Sequence, residues 1–145
     1  MTNRETDIQE MNKFLKGIHM GGTVFKDYMD KANAPALKKD LQSIIESFKR
    51  HEEAITHRIE ELDGNAADTV GVMGMIGELF EKIKLIPADT DKEVREHAVK
   101  AIEMGIEQGN KFIDEHQDLE QSLMKEVKGV VKDYDNHLKK MKEWM

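Results

Sequence analysis

The sequence predicts an all-α protein: a four-helix bundle with a short extra helix in a long crossover between the second and third helices. Three observations predict it. Apolar residues recur at steps of three and four along four long stretches, the spacing of one helix face. Two prolines and 6% aromatics stand beside abundant Glu, Lys, Met and Ala, a composition that suits helices over sheets. No stretch alternates with period two for long enough to argue for a strand. With 145 residues, a single domain over 1–145 is expected.

Helix one is predicted over about 4–31, where Ile8, Met11, Leu15, Ile18, Gly22, Phe25 and Met29 form one seam. Thr6-x-x-Gln9 is a candidate cap for its start. Helix two is predicted over about 35–63, carrying Leu37, Leu41, Ile44, Phe48, His51, Ile55, Ile59 and Leu62. Pro35 suits its first turn and Gly64 the position just past its end. Asn33 and Ala34 leave room only for a tight connection, so these two helices should form an antiparallel hairpin.

Residues 65–90 break the pattern. Val70, Val72, Met73, Met75, Ile76, Leu79, Phe80 and Ile83 read as a short, strongly apolar helix over about 69–85, stopped by Ile86-Pro87. Thr90-x-x-Glu93 is a capping box that opens helix three, about 91–117, with Val94, Ala98, Ile102, Gly105 or Ile106, Gly109 and Ile113 on its seam. Asp118-x-x-Gln121 is the restart signal for helix four, about 119–144, which carries Leu123, Val127, Val130, Tyr134, His137, Met141 and Trp144. Helices of about 27 residues are roughly 40 Å long. The link between helices two and three is long enough to run back along the bundle, giving a hairpin, a crossover and a second hairpin.

Composition excludes several function classes. Twenty-two Lys and Arg against 29 Asp and Glu give a net charge of −7, which disfavours nucleic acid and anionic membrane as partners. No apolar run approaches the ~20 residues of a transmembrane helix. The absence of Cys removes disulfides and zinc-thiolate or iron–sulfur sites. The polar stretch Met1 to Gln9 is unlike a secretory signal, so a cytoplasmic protein is expected. No nucleophile-and-base motif or His-Glu-x-x-His occurs. Gly71 to Gly77 lacks the strand context and following Lys of a phosphate loop.

Two seam positions are not apolar. His51 stands in helix two and His137 in helix four, each three residues after an aromatic: Phe48-x-x-His51 and Tyr134-x-x-His137. If helix two ends at Asp63 and helix four begins at Leu119 at the same end of the bundle, Phe48 and Tyr134 each lie 15 residues from that end. The two histidines then flank a common level from opposite sides. Gly21, Gly22, Gly105 and Gly109 fall near that level, inside helices where Gly costs about 1 kcal/mol against Ala. The favoured explanation is room for a bulky side chain such as Phe48 or Tyr134 from an opposite helix.

These features resemble the ferritin-like superfamily, in particular the small, uncharacterised bacterial bundle proteins within it. The likeness covers most of the chain. It includes Ala36-Leu37-Lys38, Phe48-Lys49-Arg50-His51-Glu52-Glu53, Glu103-Met104-Gly105 and His137-x-x-x-Met141. The resemblance implies a di-iron site built from carboxylates of all four helices, with two Glu-x-x-His pairs. Here Phe48 and Tyr134 stand where those two Glu would be. Helix one offers His19, Met20, Gly21 and Gly22, and helix three offers Glu103 or Glu107 beside its seam. A di-iron centre needs several anionic oxygens, so the resemblance predicts a degenerate site.

The favoured expectation is a non-catalytic binding or structural protein without a resident cofactor. The alternative is a metal-binding or oxidoreductase-type protein that holds iron or zinc on His51 and His137 with Glu103 as a third ligand. A homodimer or another protein partner is expected, with the Met-rich crossover helix and Trp144 as candidate surfaces.

Overall fold

The computed structural model describes residues 3–65 and 90–143, and the predicted crossover helix and Trp144 lie outside these residues. Four helices form: α1 (Asn3–Lys31), α2 (Pro35–Glu61), α3 (Asp91–Glu115) and α4 (Gln121–Lys142). Each buries one stripe. The stripes of α1 (Met11, Leu15, Ile18, Phe25), α2 (Leu37, Leu41, Ile44, Ile55), α3 (Val94, Ala98, Ile102) and α4 (Leu123, Val127, Val130) join in one apolar core.

Polar contacts fix how the helices run. At one end, the Asn33 and Ala34 N–H groups donate to Asp91 at 2.7 and 2.9 Å, and Lys140 pairs with Asp40. At the other end, the Glu120 N–H donates to Asp7, Arg58 pairs with Glu126 and His116 with Glu10. So α1 packs antiparallel to α2 and α3, and α4 packs antiparallel to α2 and α3. The described chain stops at Asn65 beside Asn12, at the end where α1 begins, and resumes at Thr90 at the opposite end. The hairpin, crossover, hairpin order follows directly. Among the described residues, no helix is long and apolar enough to cross a membrane.

The helix ends differ from expectation in three places, each for a local reason. Thr6 lies inside α1, which already begins at Asn3, so it is not the cap. α2 ends in a left-handed turn, and the residue with positive φ is Asp63 (62°), not Gly64. The Asp63 N–H reaches Glu60 O and the Gly64 N–H reaches Ile59 O, each at 3.0 Å, the paired bonds that close a helix end. Gly64 is needed for closeness instead: a Cβ there would stand 2.9 Å from Ile8 of α1. α4 is capped by Glu120, not Asp118. The Glu120 carboxylate accepts from the Leu123 N–H at 3.1 Å and from the Ser122 hydroxyl. Those bonds hold the Glu120 carboxyl below its ordinary range, the Ser122 bond most of all. At α3 Thr90 is the cap, with Glu93 bonded to its hydroxyl in place of the backbone N–H of a full capping box. Thr90 Oγ1 accepts from the Glu93 N–H at 3.2 Å, and its hydroxyl donates to the Glu93 carboxylate at 3.1 Å.

Candidate functional site

The middle of the bundle is filled by rings. Phe48 of α2 and Tyr134 of α4 are buried, with ring centroids 5.4 Å apart in an edge-to-face contact. Phe25 of α1 lies 5.5 Å from Phe48 and 5.3 Å from Tyr28. Such pairs contribute about 0.5–1.5 kcal/mol each beyond their burial. Two of these rings rest on glycine. A Cβ at Gly21 would stand 3.2 Å from the Phe48 ring, and one at Gly105 would stand 3.0 Å from the Tyr134 ring. The interior glycines of α1 and α3 therefore make room for the aromatics of α2 and α4. Burial pushes the Tyr134 phenol well above the usual range, and the charge of Glu52 adds to the effect. Burial, with Asp27 nearby, raises Tyr28 to about 12.

The histidines lie one turn away from the rings. His51 Nε2–H donates to Asp133 Oδ2 at 2.7 Å, which ties α2 to α4. His137 follows Asp133 by four residues, so the two sit on one face of α4. Its Nε2 is buried and finds no hydrogen-bond partner among the described residues. Burial lowers the His137 pKa; Asp133 works against this, and His51 adds to it. Glu103 is exposed on α3, as is Glu107. The structure thus brings His51 to a carboxylate, but to Asp133 and not to Glu103. Among the described residues, no group of three or more His, Asp or Glu is placed to hold a metal ion.

Two of these residues escape sequence reasoning. Asp133 carries a signal, since Asp133-x-x-x-His137 places a carboxylate one turn from a candidate ligand. Glu52 carries none beyond its place next to His51. It meets His19 Nδ1 of α1 at 2.5 Å, across the α1–α2 seam. His116 is stacked on Phe112 at 4.1 Å and paired with Glu10.

Comparison with known proteins agrees with this architecture. The family model described as a domain of unknown function, DUF2383, matches residues 6–118. No curated protein matches the chain. Among solved structures, the chain is similar to a dodecameric thioferritin, the bacterioferritin-related protein of Bacteroides fragilis. The TM-score is 0.76 at 12% identity, over 97% of this chain and 84% of that one. It is also similar to a ferritin-like, diiron-carboxylate protein from Bacillus anthracis str. Ames. There the TM-score is 0.68 at 14% identity, over 99% of this chain and 98% of the other. At such identities the likeness establishes the fold, a ferritin-like four-helix bundle.

Proposed function

The chain belongs to the DUF2383 family of domains of unknown function, and on that premise we propose that it is a ferritin-like bundle with a degenerate di-iron site, acting as a non-catalytic binding or structural protein. One observation carries the reading. The space that the resemblance assigns to metal ligands holds the rings of Phe48 and Tyr134, seated on Gly21 and Gly105. A di-iron centre needs several anionic oxygens, because each iron carries two or three positive charges. At this level α1 offers glycine, α2 and α4 offer aromatic rings, the carboxylates of α3 are exposed, and Glu52 and Asp133 are each bonded to a histidine. The donor set does not fit two irons. The bundle is then a scaffold freed from redox chemistry, and its role is to bind a partner: a second copy of itself or another protein.

A second reading has one observation in its favour. The His137 Nε2 atom is buried and unpartnered among the described residues, within electrostatic reach of His51. A single iron or zinc on His51 and His137 would give that nitrogen a partner. Glu103 is on the surface and Asp133 already holds His51, so this site would rest on the two histidines without Glu103.

Elemental analysis of the full chain separates the readings, after aerobic incubation with iron(II) or zinc and then desalting. The degenerate bundle is expected to retain no stoichiometric metal. Two irons per chain would overturn the proposal. One metal per chain, lost in His51→Ala or His137→Ala, would establish the second reading.

A further inference from the structure

We propose that the groove between α1 and α2 binds a small amphipathic anion, an apolar chain of a few carbons that ends in a carboxylate. This rests on the reading of the bundle as a binding protein and goes beyond it, adding a small ligand to the protein partner proposed there. The groove has a volume of about 260 Å³. That is just under the ~300–1,000 Å³ of pockets that enclose drug-sized ligands, so its occupant is small. Its floor is apolar, formed by Ile45 and Phe48 and opened by Gly22, where no side chain covers the Phe48 stem. Lining residues from His19 to Met29 on α1 run for about 15 Å at 1.5 Å per residue.

The rim supplies the charge. Lys26 of α1 and Lys49 of α2 both line the groove and both are exposed. Among the described residues, neither lysine is held in an ion pair. The one carboxylate of the lining, Glu52, lies one turn from Lys49 on α2 and is engaged by His19. Two free ammonium groups over an apolar floor therefore form a local positive site on a chain of net charge −7. Long lysine stems lie along apolar surface while their heads reach for an anion. A carboxylate between Lys26 and Lys49, with its chain laid over Gly22 and Phe48, satisfies both features at once.

Titration of octanoate into the ¹⁵N-labelled full chain tests this. Saturable amide shifts at Gly22, Thr23 and Lys49 are expected, with acetate and octanol each binding more weakly. Charge reversal in the double variant Lys26→Glu, Lys49→Glu is expected to weaken binding by about tenfold or more. Gly22→Leu should abolish it by filling the groove. A Cβ at Gly22 stands 3.7 Å from Phe48, an ordinary contact, and circular dichroism checks that the rest of the Leu side chain leaves the fold intact. Non-saturating shifts, equal binding of acetate and octanoate, or unchanged affinity in the charge-reversed variant would overturn the proposal. Metal uptake by the wild-type chain would overturn the degenerate-site reading and leave the octanoate result standing.

Discussion

At the scale of single residues, the helix glycines separate into two kinds. Among the described residues, nothing lies within 4 Å of the position a Cβ would take at Gly17 or Gly129. Gly105 and Gly109 face side chains of α4: the Tyr134 ring at 3.0 Å, and Val131 Cγ2 at 2.5 Å. Alanine is favoured over glycine in a helix by about 0.8–1 kcal/mol. Gly17→Ala and Gly129→Ala should therefore raise stability by about 0.5–1 kcal/mol. Gly109→Ala should lower it, because β-branched Val131 has few rotamers into which to retreat. Gly105→Leu drives a larger group into the Tyr134 ring, and overpacking of that kind typically costs about 1–3 kcal/mol. Urea unfolding of the four variants measures the order directly. Equal stability of Gly109→Ala and Gly129→Ala would show that α3 and α4 do not approach as closely as described.

At the scale of elements, the seams are legible in the sequence and the ends are less so. Steps of three and four follow from helix geometry alone, and for that reason Leu37, Leu41, Ile44 and Ile55 of α2 are all buried where the pattern places them. A cap depends on what else is close in space. Glu120 displaces Asp118 as the cap of α4 where Asp7 of α1 accepts the Glu120 N–H, a contact 113 residues away in the chain. Asp91 is the clearest case. It opens α3, yet its carboxylate also closes the α1–α2 turn by accepting the Asn33 and Ala34 N–H groups. Ala34 has no side-chain cap of its own. The bond from Asn33, foremost, holds the Asp91 carboxyl below its ordinary pKa of 3.8. A depressed carboxyl contributes stability that is present above its unfolded pKa and is lost as pH falls through the folded value. Asp91→Ala should therefore lower the melting temperature at neutral pH, with Asp91→Asn intermediate because one acceptor remains. The gap between wild type and Asp91→Ala should narrow as pH falls below about 3.8, toward that between Asp91→Asn and Asp91→Ala. A gap of constant size from pH 7 to pH 3 would show that the carboxylate charge has no part in holding the turn.

At the scale of the whole molecule, two hairpins meet, and their contact is where the candidate site lies. Tyr134 crosses from the second hairpin to Phe48 of the first, and Asp133 crosses to His51. The level at which the rings meet is readable from residue counts along two helices. The partner of His51 is not, because it depends on how α2 and α4 are rotated about their own axes, and spacing along one helix leaves that rotation open. If the rings are what joins the hairpins, each has a large cost of removal. Phe48→Ala and Tyr134→Ala should each destabilise by about 3–5 kcal/mol, the range for buried aromatics. A domain this size is stable by only about 5–15 kcal/mol, so leucine at the two positions gives milder variants in which the double substitution is still folded. The two losses should not add. A coupling of about 0.5–1.5 kcal/mol is expected for an edge-to-face pair, against near-zero coupling for residues that do not touch. Because the described helices share one core, far-UV and near-UV circular dichroism should follow a single denaturant transition in every variant. Additive losses, or one hairpin unfolding before the other, would mean that the aromatic centre merely fills the bundle and that the end contacts at Asp91 and Glu120 hold its halves together.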